Sequence, residues 1–268
     1  MLPQELVDRI IDEIHDDQSA LATCALVNKS WVDRSRHHLF HTLSLQITKE
    51  SIVRFLDLCH HVPSGVKPFF LCDVRHFRFY KLPQRPLPGG EQRFSLSPEL
   101  VSCLASSFPN VNTVTIDIGG PIEPNTSSIL HSVFGRVTTL VLGNLYFPDT
   151  SKLAFLLAGF PALELLDLHV NFSIWPHCSD MQLFGFEFPA SGSLRTLKLN
   201  SRSSRVLYPW FSSSHQKLPK LSSLTLILYD PDPTHIGNLF AKYGLQLEEL
   251  RLSMYDLPDP ARFTGVLS

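Results

Sequence analysis

Two stripes of hydrophobic residues near the N-terminus have helical spacing. The first consists of Leu6, Ile10, Ile11 and Ile14, and the second of Leu21, Cys24, Val27 and Trp31. Residues three and four apart lie on one face of a helix, and Asp16 and Asp17 between the stripes suit the cap of a second helix. We therefore expect two or three short helices. Because so few residues cannot bury these stripes alone, the stripes must pack against the rest of the chain or against a partner.

A second pattern, L-x-x-L-x-L, recurs along the remaining chain. Its clear copies begin at Val111, Val137, Leu163, Leu194, Leu221 and Leu247, and two weaker copies begin at Phe40 and Val74. The clear copies follow one another at steps of 26, 26, 31, 27 and 26 residues, which is the regularity of a repeat protein. The alternation within each copy predicts a short strand. Helical spacing between the copies occurs at 51–61, 97–108, 126–134, 151–160 and 234–243.

The N-terminal segment carries three sequence elements in order. They are Leu2-Pro3-x-Glu5-Leu6, Ile10-Ile11-x2-Ile14 and Val27-Asn28-Lys29-x-Trp31. With these elements, residues 2 to about 43 resemble the F-box, especially the short form common in large fungal families. The resemblance implies a three-helix module that docks onto the Skp-type adaptor, and through it a cullin, of an SCF ubiquitin ligase. It divides the following residues between the adaptor interface and the module's own core: Leu2, Pro3, Leu6, Ile10, Ile11, Ile14, Leu21, Cys24, Val27 and Trp31. The alternative is an ordinary pair of amphipathic helices that caps a larger domain.

The repeat units resemble leucine-rich repeats of the long, helix-bearing kind. Each unit of about 26 residues is predicted to contain a strand, a loop and a helix. Several of the helices end at a proline just before the next strand. Only Asn171 stands eight residues after a first leucine, where that family has Asn or Cys. We therefore expect an irregular solenoid. The alternative is an ordinary α/β domain with strands joined by helices.

These resemblances predict an α/β chain with a three-helix F-box at residues 1–40 and an irregular leucine-rich-repeat solenoid at 41–268. A segment rich in proline and glycine near 80–94 is predicted to be an inserted loop. A shorter insertion at 180–189 contains three phenylalanines, which suit either a partner-binding patch or buried packing. Only residues 256–268 remain to cover the last strand. Three explanations stay open: the protein ends prematurely, it self-associates at this edge, or the edge binds a partner.

The composition argues against several classes of partner. A formal net charge of -2 predicts neither a nucleic acid nor a membrane partner. No apolar run approaches the roughly 18 residues that span a bilayer, and the N-terminus lacks the features of a signal peptide. The 5 cysteines are scattered, as expected for reduced thiols inside a cell. We expect a cytoplasmic and/or nuclear protein.

Candidate catalytic chemistry is sparse in the sequence. The phosphate-binding, zinc-protease, serine-hydrolase and C-x-x-C motifs do not occur. His37 and His41 are four residues apart and could reach one metal ion on a helix, but a third ligand is missing, which favours a polar helix end. Asp230, Asp232 and His235 occupy an Asp/Pro loop of the kind that turns the chain. We expect no catalytic residues, no metal and no cofactor; an enzyme whose site is built from loops stays a rival hypothesis.

A polar face of the predicted sheet is the candidate target-binding surface. If the leucines of the repeat point inward, the residues between them face solvent. The candidates are His76, Arg78, Tyr80, Asp117, Asp167, His169, Lys198, Asn200, Glu249 and Arg251, with threonines between them. Mixed charge on this face suits binding of a protein substrate, whose identity is unknown, better than binding of a nucleic-acid phosphate backbone. Taken one at a time, each of these residues also fits an ordinary solvent-exposed surface. The F-box and leucine-rich-repeat resemblances together imply the substrate-recognition subunit of an SCF-type ubiquitin ligase, with a leucine-rich-repeat scaffold unconnected to ubiquitin as the alternative.

Overall fold

The fold is α/β. The structure is a computed structural model, and it describes residues 2–60, 69–81, 94–172, 192–200, 204–212, 218–229 and 233–255. The helices in these ranges are α1 (Gln4–Glu13), α2 (Gln18–Val27), α3 (Lys29–His41), α4 (Lys49–His60), α5 (Pro98–Ser107), α6 (Pro124–Phe134), α7 (Thr150–Ala158), α8 (Ser204–Ser212) and α9 (Pro233–Tyr243). The strands are β1 (Thr42–Gln46), β2 (His76–Tyr80), β3 (Thr113–Asp117), β4 (Thr139–Phe147), β5 (Leu165–Phe172), β6 (Thr196–Asn200), β7 (Ser223–Tyr229) and β8 (Glu249–Tyr255).

The first three helices form a small unit with its own core. Asp17 caps α2 by accepting a hydrogen bond from the Ala20 N–H at 2.9 Å, and Asn28 caps α3 by accepting one from the Ser30 N–H at 3.0 Å. The unit's core is separate from that of the sheet and consists of Val7, Ile11 and Leu21, with Ile14, Trp31 and Leu39 packed against it. We call α1–α3 the helical module.

An ion-pair cluster joins the first and third helices of the module. Both carboxylate oxygens of Asp12 accept hydrogen bonds from Arg34, at 2.6 and 2.7 Å, and His38 Nε2 lies 2.7 Å from the same carboxylate. These two hydrogen-bonding partners hold the pKa of Asp12 well below its usual range, with Arg34 the larger cause. The bidentate geometry fixes α1 on α3.

The strands form one parallel sheet in chain order, from β1 to β8. Parallel pairing requires a crossover between successive strands. A helix supplies it at every step except between β5 and β6, where residues 173–191 lie outside the described ranges. Alternate strand residues such as Phe77, Leu140 and Leu226 are fully buried against the helices. This alternation leaves the opposite face of the sheet free of helices among the described residues.

A repeated hydrogen bond fixes the start of the strands. The Arg75 carbonyl accepts the N–H groups of Asn112 and Thr113 at 2.9 and 3.0 Å. Equivalent pairs of bonds go to the carbonyls of Asn112, Thr138, Glu164, Arg195 and Ser222. Each unit is thereby held in the same register as the one before, which satisfies backbone groups where the chain enters a strand.

The predicted helices and strands correspond to observed elements. Helices at 51–61, 97–108, 126–134, 151–160 and 234–243 correspond to α4, α5, α6, α7 and α9, and every L-x-x-L-x-L copy coincides with a strand. Helix α3, the last of the module, ends at His41; the boundary predicted after residue 40 stays a prediction. Helix α8 was not predicted, since Pro209 within it reads as a helix breaker. The predicted insertions near 80–94 and 180–189 lie almost wholly outside the described residues.

Candidate functional site

The helical module presents apolar side chains to solvent. On α1, Leu2 just before the helix and Leu6 and Ile10 within it are 59%, 48% and 45% exposed. Leu26 and Val27 at the end of α2 are more exposed still. We call these five residues the exposed apolar face. Exposed apolar patches on a protein surface commonly mark an interaction site.

The start of α1 is tied to the start of α3. The Gln4 side chain donates a hydrogen bond to the Ser30 carbonyl at 2.9 Å, and Ser30 lies in the first turn of α3, three residues after Val27. This bond helps to position α1 within the module.

The residues that the resemblance divides between adaptor interface and module core fall into three groups by their burial. Leu2, Pro3, Leu6, Ile10 and Val27 are exposed, Ile14, Cys24 and Trp31 are partly buried, and Ile11 and Leu21 are fully buried. The predicted single stripe is therefore divided: Ile11 and Ile14 turn inward together with Val7, while Leu6 and Ile10 turn outward. A helix with apolar residues over more than one face can serve a core and a partner at once.

The second candidate surface is the polar sheet face, formed by strand residues opposite the helix side. Strand register arranges them in three rows across the sheet. The first row is Thr42, His76, Thr113, Thr139, Leu165, Thr196, Ser223 and Glu249; the second is Ser44, Arg78, Thr115, Val141, Asp167, Lys198, Thr225 and Arg251; the third includes Gln46, Tyr80, Asp117 and Gly143, followed by His169 and Asn200. All ten residues predicted for this face lie in these rows.

Polar contacts organise the face over β2, β3 and β4. His76 Nε2 lies 2.8 Å from Thr115 Oγ1, and Arg78 pairs with Asp117 at 3.4 Å. Burial is the main reason that the pKa of His76 is lowered, followed by the charges of His41 and Arg78. His76 is therefore favoured as a neutral group on this face.

A bulge in β4 holds the Asp117 carboxylate. Asn144 has a positive φ of 51°, a conformation that Asn tolerates better than most residues, and its side chain donates to Asp117 Oδ1 at 2.8 Å. A Cβ at Gly143 would stand 3.0 Å from the Asp117 Cγ, so the glycine leaves room for that side chain. The bulge also leaves Tyr146 43% exposed. This cluster could not be predicted from the sequence, because no residue pattern marks the bulge.

A second polar cluster lies on β5 and β6. The Asn200 side-chain amide donates to His169 Nδ1 at 2.7 Å, which leaves the proton of a neutral imidazole on Nε2. That nitrogen is 3.0 Å from Asp167 Oδ1. The oxygen is buried, and in this geometry it makes no hydrogen bond with His169.

The far end of the face carries a third charge cluster on β8. Ser223 donates to Glu249 at 2.8 Å, and Arg251 Nε donates to the same carboxylate at 2.7 Å. The Ser223 bond first, and then Arg251, lower the pKa of Glu249. Both charged side chains are exposed, so this pair contributes little to stability.

Potential metal ligands do not cluster within the described ranges. No cluster of three or more His, Cys, Asp or Glu residues there could hold a metal ion. The rings of His37 and His41 are 6.1 Å apart, and His37 lines a cleft of about 570 Å³ with Asp8, Asp33 and Asp73. Burial in the main lowers the pKa of His37. The prediction that the protein is not an enzyme stays a prediction.

The cysteines of the described ranges are free thiols: Cys24, Cys59, Cys72 and Cys103. Burial, and then a hydrogen bond with Cys103, raise the pKa of Cys59 to about 12. A thiol with so high a pKa is a poor nucleophile at neutral pH.

Two further predictions fall largely outside the described ranges. Asp230 and Asp232 are not described, while His235 lies in α9. The phenylalanine cluster at 184–188 is not described either.

Comparison with known proteins gives no family assignment. No family model matches the chain, and no curated protein matches it. Within the described residues, none of the helices combines the length and apolar character needed to cross a bilayer.

Proposed function

We propose that this protein is the substrate-recognition subunit of an SCF-type ubiquitin ligase. The helical module binds a Skp-type adaptor, and the sheet, as an irregular leucine-rich-repeat solenoid, binds a target protein. The protein acts in the cytoplasm or nucleus, and its own contribution is proximity, which raises the effective concentration of target lysines near the ubiquitin-charged enzyme.

The exposed apolar face is the observation that carries the proposal. A helical pair that only caps the sheet would turn the outer residues of α1 toward the sheet core. Instead, Leu6 and Ile10 remain 48% and 45% exposed, while a separate core of Val7, Ile11 and Leu21 holds the module together. A self-contained module with an uncovered apolar face is suited to binding another protein.

The direct junction between module and sheet supports the second half of the proposal. Helix α3 ends at His41 and β1 begins at Thr42, so no linker separates them. The Arg75 N–H donates to the His41 carbonyl at 2.9 Å, which ties the junction to the strand beside it. A target on the polar sheet face would therefore be held at a fixed place relative to the adaptor.

The polar sheet face supports a protein rather than a nucleic acid as target. Its acidic groups Asp117, Asp167 and Glu249 are interspersed with Arg78, Lys198 and Arg251 across the sheet. A nucleic-acid surface would instead concentrate positive charge. Mixed charges interleaved with threonine hydroxyls match the polar surface of a folded protein or peptide.

Co-expression with a Skp-type adaptor tests the proposal. The full chain and a Leu6→Asp/Ile10→Asp variant are each expressed with the adaptor and run on size-exclusion chromatography. The matched control is Val53→Asp/Leu58→Asp on α4, whose side chains are 49% and 50% exposed in the wild type but lie outside the module. We expect a stoichiometric complex with the wild type and the control, and none with the α1 variant.

Two results of this experiment would contradict the proposal. A folded wild-type chain that forms no complex would leave a protein-binding scaffold without a ubiquitin-ligase link. A complex that survives in the α1 variant would place the adaptor contact elsewhere on the chain.

A further inference from the structure

Several histidine rings lie close together where the helical module meets the sheet. The ring centroids of His37 and His38 are 5.4 Å apart, and those of His37 and His41 are 6.1 Å apart. His15, just after α1, lies 6.1 Å from His38. The charge of His41 is in turn one cause of the lowered pKa of His76 in β2. The histidines therefore extend from the module to the second strand of the sheet.

A cleft lies between the module and the chain segment that precedes β2. Its volume is about 570 Å³, and its walls come from α1, from α3 and from Asp73. Asp73 is the last residue of a short 3₁₀-helix, Phe69–Asp73. His37 lines this cleft and is partly buried in it. Opening of the cleft would therefore carry the His37 ring into water.

Charged groups face His37 from each element around the cleft. Helix α1 contributes Asp8, and the 3₁₀-helix contributes Asp73. The helix that carries His37 contributes Asp33, Arg34, Arg36, His38 and His41. Of these, Arg34 and His38 already share the Asp12 carboxylate. The carboxylate that faces His37 from the sheet side of the cleft is Asp73.

We propose that mild acid opens the junction between the helical module and the sheet, because His37 binds a proton more tightly when the cleft is open. The cleft is then a pH-sensitive element of the fold. Histidine is suited to this role, since its ordinary pKa of 6.5 lies close to neutrality.

The direction of the effect follows from what changes when the cleft opens. Burial is the largest cause that lowers the pKa of His37, followed by the charges of His38 and Arg34; Asp73 raises it, and His41 lowers it further. His38, Arg34 and His41 move with His37 on α3, so they act alike in both states. Opening relieves the burial, which raises the pKa, and takes away Asp73, which lowers it by less. The stability of the closed junction is therefore complete above pH 6.5 and is lost as the pH falls below that value.

One backbone hydrogen bond at the junction reports its opening. The Arg75 N–H donates to the His41 carbonyl at 2.9 Å, where α3 passes into β1. The same bond recurs farther along the sheet, where the Glu164 N–H donates to the Thr138 carbonyl at 2.8 Å. The module has a separate core and the Asp12 cluster, so it can leave the sheet as a unit while its own contacts persist.

Amide hydrogen exchange of the full chain, measured by NMR at about pH 7.5 and about pH 5.5, tests the proposal. Exchange rates are divided by the intrinsic chemical rate at each pH, which gives a protection factor for each amide. We expect the protection of the Arg75 N–H to fall at the lower pH. The equivalent N–H groups of Glu164 and Ser222, which bond at 2.8 and 2.9 Å far from the junction, should keep theirs.

Two variants should change this response in opposite directions. His37→Gln removes the titrating group, so the fall in Arg75 protection should become smaller. Asp73→Asn removes the charge that favours protonated His37 in the closed state, so the fall should become larger and begin at higher pH. The matched control is His235→Gln, which replaces another partly buried helical histidine, in α9, and should leave the response as in the wild type.

Three results would overturn the proposal. They are an unchanged Arg75 protection factor in the wild type, an equal fall at Arg75, Glu164 and Ser222, and an equal fall in the wild type and a folded His37→Gln variant. If His37→Gln does not fold, Asp73→Asn decides alone, because a response no larger than that of the wild type contradicts the account. Opening needs no adaptor, so failure of adaptor binding would leave these outcomes unchanged. If the proposed function holds as well, mild acid would loosen the placement of a target relative to the adaptor.

Discussion

Ile10 and Ile11 are adjacent in the chain and should respond oppositely to truncation. Ile11 is fully buried in the module core, whereas Ile10 is 45% exposed on the other side of α1. Replacing a buried isoleucine by alanine typically costs about 2–5 kcal/mol of stability. We expect about 2–3 kcal/mol for Ile11→Ala, since a core of so few residues can partly collapse around the space. For Ile10→Ala we expect a loss of about 1 kcal/mol or less.

If the proposed function is right, binding to the Skp-type adaptor should show the reverse order. Truncation of isoleucine to alanine removes three carbons, worth roughly 0.8 kcal/mol each when buried, and a little under half of Ile10 is available for burial. Ile10→Ala should therefore weaken adaptor binding by about 1 kcal/mol, or roughly fivefold. Ile11→Ala should affect binding only through the population of folded module.

Hydrogen exchange followed by mass spectrometry measures the first effect in peptides from residues 4–41, and calorimetric titration measures the second. The sheet peptides serve as an internal control, because the module core is separate from theirs. Equal loss of protection in the two variants would refute the division of α1 into a core side and a binding side.

Two other perturbations have definite outcomes. The pKa of Asp12 is depressed below its ordinary 3.8, so its contribution to stability is present above that value and is lost as the pH falls toward the folded-state pKa. The stability difference between wild type and Asp12→Asn, from urea unfolding, should accordingly shrink as the pH is lowered from about 5 to 2; a constant difference would contradict the role of the Arg34 and His38 contacts. A Cβ at Gly159 would lie 1.7 Å from the His131 ring and would break the 2.9 Å contact of that ring with the Leu156 carbonyl, so Gly159→Ala should cost about 2 kcal/mol or more. The control Gly237→Ala in α9 meets no atom within 4 Å and should stabilise the chain by up to about 1 kcal/mol; thermal unfolding that ranked the two glycines equally would contradict this account.

Sequence periodicity predicted the strands and their faces well, because a strand that is buried on one side needs alternating apolar and polar residues. The assignment of His76, Asp167 and Lys198 to a single polar face required nothing more than this alternation. The apolar residues of the repeat are likewise buried from β2 to β7, whereas Leu250 and Leu252 of β8 are 44% and 38% exposed. Local capping signals were equally informative: Asp17 was expected to suit the cap of the second helix, and its side chain accepts the Ala20 N–H there.

Contacts between distant residues could not be predicted from such patterns. The Asp12 cluster joins residues 22 and 26 positions apart, and the Asn144 contact with Asp117 depends on a bulge that has no sequence signature. Spacing also could not divide the first stripe, because Leu6, Val7, Ile10 and Ile11 together cover more than one face of a helix. Only packing shows that Val7 and Ile11 turn inward.

The division of α1 and the direct junction of α3 with β1 have a joint consequence. If Leu6 and Ile10 bind an adaptor, the bound face of α1 is connected to α3 through the core at Ile11 and the Asp12 cluster. Helix α3 passes without a linker into the sheet at Thr42. Adaptor and polar sheet face are thus connected by packed elements alone, which avoids the loss of effective concentration that a long flexible linker would bring. The same rigidity means that a target can be reached only if its lysines lie at a suitable distance from the bound segment, so selectivity would come from geometry as well as from affinity.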